Sequence, residues 1–307
     1  MLNKHSGSGA SGLVSITPYL LLAGVSIFWG LNWPGMKIIL GEMTVWWFRG
    51  SCLVAGGGVL LALTAVSGNR WKIRLDEVPA VFFCSLFSIL GWMIFSAYGV
   101  SKMPAGRASI IAFTMPLWAT LFAAIWLRET INLTKIIGLA LGITGLGFLI
   151  GPDLIALKKA PVGATYMLLA AISWALGTIM FKRGQWELPV ISNIAWQLLF
   201  SSIPVVIIAI LTEPFPEVTS FSTTALIALL YIYLFPMSFC QWAYFKTVRL
   251  LPASIAAIGT LMVPVIGVYS SFLILDEKVG FSELIALILI VSALVLVLLV
   301  PARKSGS

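Results

Sequence analysis

Long apolar runs recur along the chain, separated by short polar breaks. They fall at about 17–36, 44–66, 78–100, 105–127, 134–151, 161–182, 190–211, 223–246, 253–274 and 280–300. Each is close to the length, about 20 residues, that a helix needs to cross the hydrocarbon core of a bilayer. A backbone in lipid must satisfy its own hydrogen bonds, so every run predicts a helix. Two breaks are very short: Ser101–Pro104 parts spans 3 and 4, and Val248–Pro252 parts spans 8 and 9. Composition points the same way. Hydrophobic residues make up 60% of the 307 and charged ones 10%, with mean hydropathy +1.05. A soluble domain carries about a quarter charged residues, so a water-soluble fold is excluded. The pattern predicts an all-α integral membrane protein of ten transmembrane helices. The tails, 1–15 and 302–307, are expected to be disordered.

The net charge of +8 does not suggest nucleic acid, because the basic residues sit in short loops between apolar runs. It reports sidedness instead. With the N-terminus cytoplasmic, the inner side holds Lys4, Arg70, Lys72, Arg74, Arg128, Lys135, Lys182, Arg183, Lys246, Arg249, Arg303 and Lys304. The outer side holds only Lys37, Arg49, Lys102, Arg107, Lys158, Lys159 and Lys278. This bias predicts a multi-pass protein of the cell (inner) membrane with both termini cytoplasmic. No basic stretch leads into a short apolar core and cleavage site, so the first span itself is the expected targeting signal. Cys52, Cys84 and Cys240 are isolated within apolar runs, and the single histidine, His5, lies in the N-terminal tail. No metal, cofactor or disulfide framework is expected. No serine or cysteine sits with a histidine and no carboxylate pair lies within a span, which argues against an enzyme.

The most informative feature is an internal repeat. At an offset of 148, Pro104, Ala105, Ala108, Pro116 and Glu129 meet Pro252, Ala253, Ala256, Pro264 and Glu277. At an offset of 145, Ile27, Trp29, Leu31 and Lys37 meet Ile172, Trp174, Leu176 and Lys182. Ordered matches at nearly one offset imply duplication, with copies at 16–152 and 160–301. Five helices per copy is an odd number, so the second copy must insert upside down. Inverted repeats around a central cavity, with the substrate site near the midplane, are an architecture of secondary transporters.

These residues carry a resemblance. Trp29-Gly30, Asn32-Trp33, Lys37, Arg49, Ala105, Ala108, Pro116, Glu129 and the glycines at 138, 142 and 145 are similar to the ten-helix EamA type of the drug/metabolite transporter superfamily. Trp174, Lys182, Pro252, Ala253, Ala256, Pro264 and Glu277 repeat the pattern, so the likeness runs over about 17–300. It implies a ten-helix inverted-repeat fold and export of small metabolites. Among characterised members the chain most resembles bacterial exporters of aromatic and other neutral amino acids. Pro34, directly after Asn32-Trp33, departs from the family pattern and implies a bend at the outer end of helix 1.

Candidate site residues follow from depth and chemistry. Pro116 and Pro264 lie mid-span, where each frees a carbonyl four residues back, and they are read as hinges facing the cavity. Thr260 places a hydroxyl beside one freed carbonyl. Trp29 and Trp174 lie deeper than the interfacial belt. Trp92, Phe113 and Met115 lie on spans that the inverted fold places centrally, and Asn32 and Gln241 are amides within spans. Trp29, Asn32, Trp92, Phe113, Met115, Trp174, Gln241 and Thr260 are the expected substrate contacts. Arg49, near the start of span 2, either snorkels to the interface or attracts a carboxylate. Glu129 and Glu277 read as structural. All 11 acidic residues fall in loops or first helical turns. The chain therefore lacks the intramembrane carboxylates and histidines usual in proton relays. The expected carrier is a uniporter or exchanger of net-neutral solutes, working by alternating access in the bilayer, with a monomer as the expected unit. The alternative is a proton-coupled multidrug, organic-cation or nucleobase-type exporter of the same superfamily.

Overall fold

The computed structural model describes residues 17–126, 162–250, 260 and 262–299, with parts of 133–148. Every regular element among them is helical. Helices α1 (Thr17–Ile39) and α2 (Val45–Val66) are joined by a tight turn. The third span is α3 (Val78–Ser85), a π-turn at Leu86–Gly91 and α4 (Trp92–Lys102). The fourth is α5 (Ala105–Ala112) and α6 (Met115–Trp126). The second half has α7 (Val162–Arg183), α8 (Val190–Thr212), α9 (Thr223–Leu234), a π-turn at Phe235–Phe239, α10 (Cys240–Leu250), α11 (Met262–Leu275) and α12 (Phe281–Leu299). Among the described residues, five segments are long and apolar enough to cross a bilayer: 45–66, 78–102, 162–181, 190–212 and 223–244.

Local chemistry explains the interruptions. The fourth span breaks at Phe113-Thr114, where Phe113 leaves helical geometry at ψ 11°. Pro116, second in α6, cannot donate back to Ala112. The Thr114 hydroxyl donates to Ile111 O at 2.7 Å, and the Thr114 carbonyl accepts from Leu117 N at 2.9 Å. This span is two helices rather than one bent helix. Pro264 stands in the first turn of α11, a position that tolerates proline. Pro34 lies inside α1, which continues helically past it to Ile39. The two π-turns recur at nearly the repeat offset, 86–91 and 235–239, so the halves share their irregularities as well as their sequence.

Packing shows the inversion. Helix α2 lies along α8 for its full length. Thr44, at the start of α2, bonds Glu213, at the end of α8, and the Arg70 carbonyl beyond α2 accepts from Ser192 Oγ, early in α8, at 2.7 Å. These repeat mates are therefore antiparallel. Around them the halves exchange partners: α1 packs on α11 and on α9–α10, while its mate α7 packs on α5–α6 and on α4. Small residues permit the close approach. A side chain at Gly177 would collide with the Ser88 backbone, one at Gly56 with Met237, and one at Gly57 with Leu199. The outer faces stay apolar: Ile203, Ile207 and Ile210 of α8 are all exposed. In water such a stripe is a liability; in a bilayer it is the surface that lipid covers.

Candidate functional site

Where the halves meet, a cavity encloses about 540 Å3 of empty space, counting the part open to the outside. Trp29, Asn32 and Trp33 reach it from α1, Trp92 and Met93 from α4, Phe113 from the helix break and Met115 from α6. The second half supplies Trp174 from α7, Pro236 and Met237 from the π-turn, Gln241 from α10 and Val263 from α11. Three pairs in this lining are repeat mates: Trp29 with Trp174, Met93 with Gln241, and Met115 with Val263. The cavity thus lies on the axis relating the copies.

Seven of the eight expected contacts share this cavity: Trp29, Asn32, Trp92, Phe113, Met115, Trp174 and Gln241. The eighth, Thr260, is not in the described lining and has a partner of its own. Sequence reasoning missed Trp33, Met93, Pro236, Met237 and Val263. The repeat offset would have found Met93 and Val263, once Gln241 and Met115 were chosen. Pro236 and Met237 enter through a π-turn that periodicity does not signal. A mid-span proline, Pro236, was the available clue.

The aromatic lining is held rather than loose. The Trp92 and Trp174 rings meet edge to face, with centroids 5.2 Å apart, a favoured aromatic geometry. Trp29 Nε1 donates to the Pro236 carbonyl at 3.3 Å, and its ring lies 5.3 Å from that of Tyr244. Gln241 is 4% exposed and its Oε1 has no partner. Asn32 Nδ2 reaches Met36 Sδ at 3.1 Å. No charged side chain belongs to the described lining.

Charged groups gather at the two ends of the bundle. At the end carrying residues 40–44, Lys37 Nζ donates to Val100 O at 2.9 Å and Met103 O at 3.0 Å, meeting the negative C-terminal end of α4. Glu277 accepts from Ala105 N at 2.7 Å and Gly106 N at 3.0 Å, capping α5 from the opposite repeat. Arg107 Nε donates to Glu283 at 3.0 Å. These bonds tie α1, α4, α5, α11 and α12 together. The structural reading of Glu277 therefore has a definite form: the Pro-Ala start of one copy docks the glutamate of the other. Glu129 and the side chain of Lys182 lie outside the described residues. Nearby, Glu42 accepts from Ser222 Oγ at 2.5 Å and Ser222 N at 2.7 Å, which holds its carboxyl below the ordinary glutamate value. At the opposite end Arg74 bonds Asp76 at 2.5 Å and Glu187 at 2.6 Å, and Asp76 chiefly raises the Arg74 pKa.

Comparison with known proteins places this geometry. The EamA-like transporter family matches residues 16–151 and 161–299, once for each half. The uncharacterized transporter YvbV of Bacillus subtilis is 32% identical over 91% of this chain and 90% of its own length. A probable amino-acid metabolite efflux pump of Salmonella typhimurium is 27% identical over 88% of this chain and 91% of its own. A solved crystal structure superposes with TM-score 0.66 at 18% identity, covering 93% of this chain and 99% of that one, and supports the fold alone. A duplicated, inverted all-helical bundle with a cavity on its axis, matched in both halves, shows that the chain belongs to the EamA-like transporter family.

Proposed function

We propose that this membrane transporter exports small neutral metabolites, best of all amino acids with aromatic or other neutral side chains. It works by alternating access of the two halves, as a uniporter or exchanger. The chain sits in the cell membrane as a multi-pass monomer with both termini cytoplasmic. One observation carries the reading: the cavity between the repeats is walled by Trp29, Trp92, Phe113 and Trp174, has two amides, Asn32 and Gln241, and has no charged group in its described lining. Ligand sites are mostly apolar with a few placed polar groups, and an apolar, uncharged lining favours net-neutral cargo. A cationic drug would want a buried carboxylate here. The Salmonella relative, a probable amino-acid metabolite efflux pump, supports this reading.

Purified protein in proteoliposomes, offered amino acids, nucleobases and organic cations, tests this. Saturable flux and counterflow of neutral aromatic amino acids, without a pH difference, are expected. Flux only of cations, or concentrative transport abolished by a protonophore, would replace the reading with proton-coupled drug export.

A further inference from the structure

Arg49 is the most anomalous group in the described bundle. It sits one turn into α2 and is only 3% exposed, so it does not snorkel. Its guanidinium donates to Ser96 Oγ at 2.8 Å and touches Met36 Sδ at 3.6 Å, and it lies 4.8 Å from the centre of the Phe48 ring. Nε has no partner, and no carboxylate among the described residues forms an ion pair with it. A buried charge without a counter-ion is strongly unfavourable. The fold does not require a cation at this seam: the second copy has Ile194 at the 145 offset and Gln197 at the 148 offset. Arg49 also adjoins the cavity. Asn32, which lines it, shares Met36 Sδ with the guanidinium, and the Ser96 hydroxyl that Arg49 holds bonds Met93 O, also at the lining, at 3.3 Å. A methionine side chain is unbranched and easily displaced.

We propose that the missing counter-ion is the carboxylate of the cargo. On binding, the carboxylate displaces the Met36 sulfur and takes hydrogen bonds from Arg49 and the Asn32 amide, a geometry that suits the planar guanidinium fork. The unpartnered Gln241 Oε1, also at the lining, receives the ammonium group. Cargo is then selected as a zwitterion: a carboxylate at one pole, an ammonium at the other, and an apolar side chain against the tryptophans. This deepens the proposed function and rests on its cavity being the transport site.

The test uses three reconstituted proteins, the wild type, Arg49→Met and Arg49→Lys, with two probes besides phenylalanine: phenethylamine, which lacks the carboxylate, and phenylacetate, which lacks the ammonium. Flux of phenylalanine by the wild type should exceed that of phenethylamine at least tenfold, and Arg49→Met should collapse that ratio towards one. Phenylacetate should raise the melting temperature of the wild type and not that of Arg49→Met. Without cargo, Arg49→Met should melt no lower than the wild type, whereas a purely structural arginine would leave it less stable. Arg49→Lys should keep the carboxylate preference with weaker affinity, and it gives the readout if the methionine variant fails to fold. Phenylacetate stabilisation that needs Arg49, with no amino acid transported, would retain the counter-ion role and remove the amino-acid reading. Equal loss of phenylalanine and phenethylamine flux in both variants, or no stabilisation of the wild type by phenylacetate, would overturn the proposal.

Discussion

Replacing Glu277 by alanine should loosen the end of the bundle where Lys37 and Glu277 tie helix ends together, and so expose the cavity to that side. The carboxylate accepts from Ala105 N and Gly106 N at 2.7 and 3.0 Å, joining the segment after α11 to the start of α5. Hydrogen bonds to a charged group contribute about 1.5–3 kcal/mol each. Glu277 is half-buried, and water can replace it at the freed amides, so a net loss of about 2 kcal/mol for the pair is a reasonable scale. With about 1.4 kcal/mol per tenfold, that shifts the closed-to-open ratio at this end by roughly thirtyfold. The reporter is Met93→Cys, which places a thiol at the cavity lining, buried in this state, while the native Cys52, Cys84 and Cys240 are buried and outside the described lining. A charged, membrane-impermeant thiol reagent added on the Glu277 side should label the double variant about thirty times faster than Met93→Cys alone. Glu277→Gln, which keeps one carbonyl acceptor, should fall between. Labelling unchanged in a protein that melts like the wild type would show that this cap does not hold the cavity closed.

Gly177→Ala forces a methyl group against the Ser88 backbone and, as an overpacking change, should destabilise the protein by about 1–3 kcal/mol, read as a lower melting temperature in detergent. Trp174→Ala removes the edge-to-face partner of Trp92 and should reduce transport of large neutral substrates more than small ones; an equal loss for every substrate, with poor folding, would mark a packing role only. A carboxyl whose folded pKa lies below its unfolded value contributes stability above the unfolded pKa and loses it as pH falls through the folded one. Glu42 is such a group, so hydrogen-exchange protection at the start of α9, taken relative to the intrinsic rate at each pH, should fall as pH drops below the ordinary glutamate value of about 4.3, and in Glu42→Gln that acid dependence should vanish.

The hydrophobic pattern by itself determined the helical class and the need for lipid, because segment hydropathy is a local sum that no tertiary contact can reverse. Repeat arithmetic determined the inversion: an odd number of crossings per copy leaves one outcome, and the antiparallel pairing of α2 with α8 is its physical form. Trp29 and Trp174 were legible as cavity residues for the same reason, since a repeat mate deep in each half must lie near the shared axis. What the pattern did not carry was the rotation of each helix about its own axis. Thr260, chosen for its place beside the carbonyl that Pro264 frees, is absent from the described lining, while Trp33, one position beyond Asn32, is in it. Nor did it carry the form of the breaks: Phe113-Thr114 ends α5 and splits the span in two, and a π-turn at 235–239 brings Pro236 and Met237 into the lining. Above all, only the tertiary structure decided what each charge meets. Glu277 finds the amides of Ala105 and Gly106 some 170 residues away in the chain, and Arg49, which by position alone could have reached the interface, is turned into the bundle with no carboxylate among the described residues to meet it. A charge near a helix end reads the same in sequence whether it points to water or to protein, and the difference is made by contacts with residues distant in the chain, within one half for Arg49 and across the two halves for Glu277.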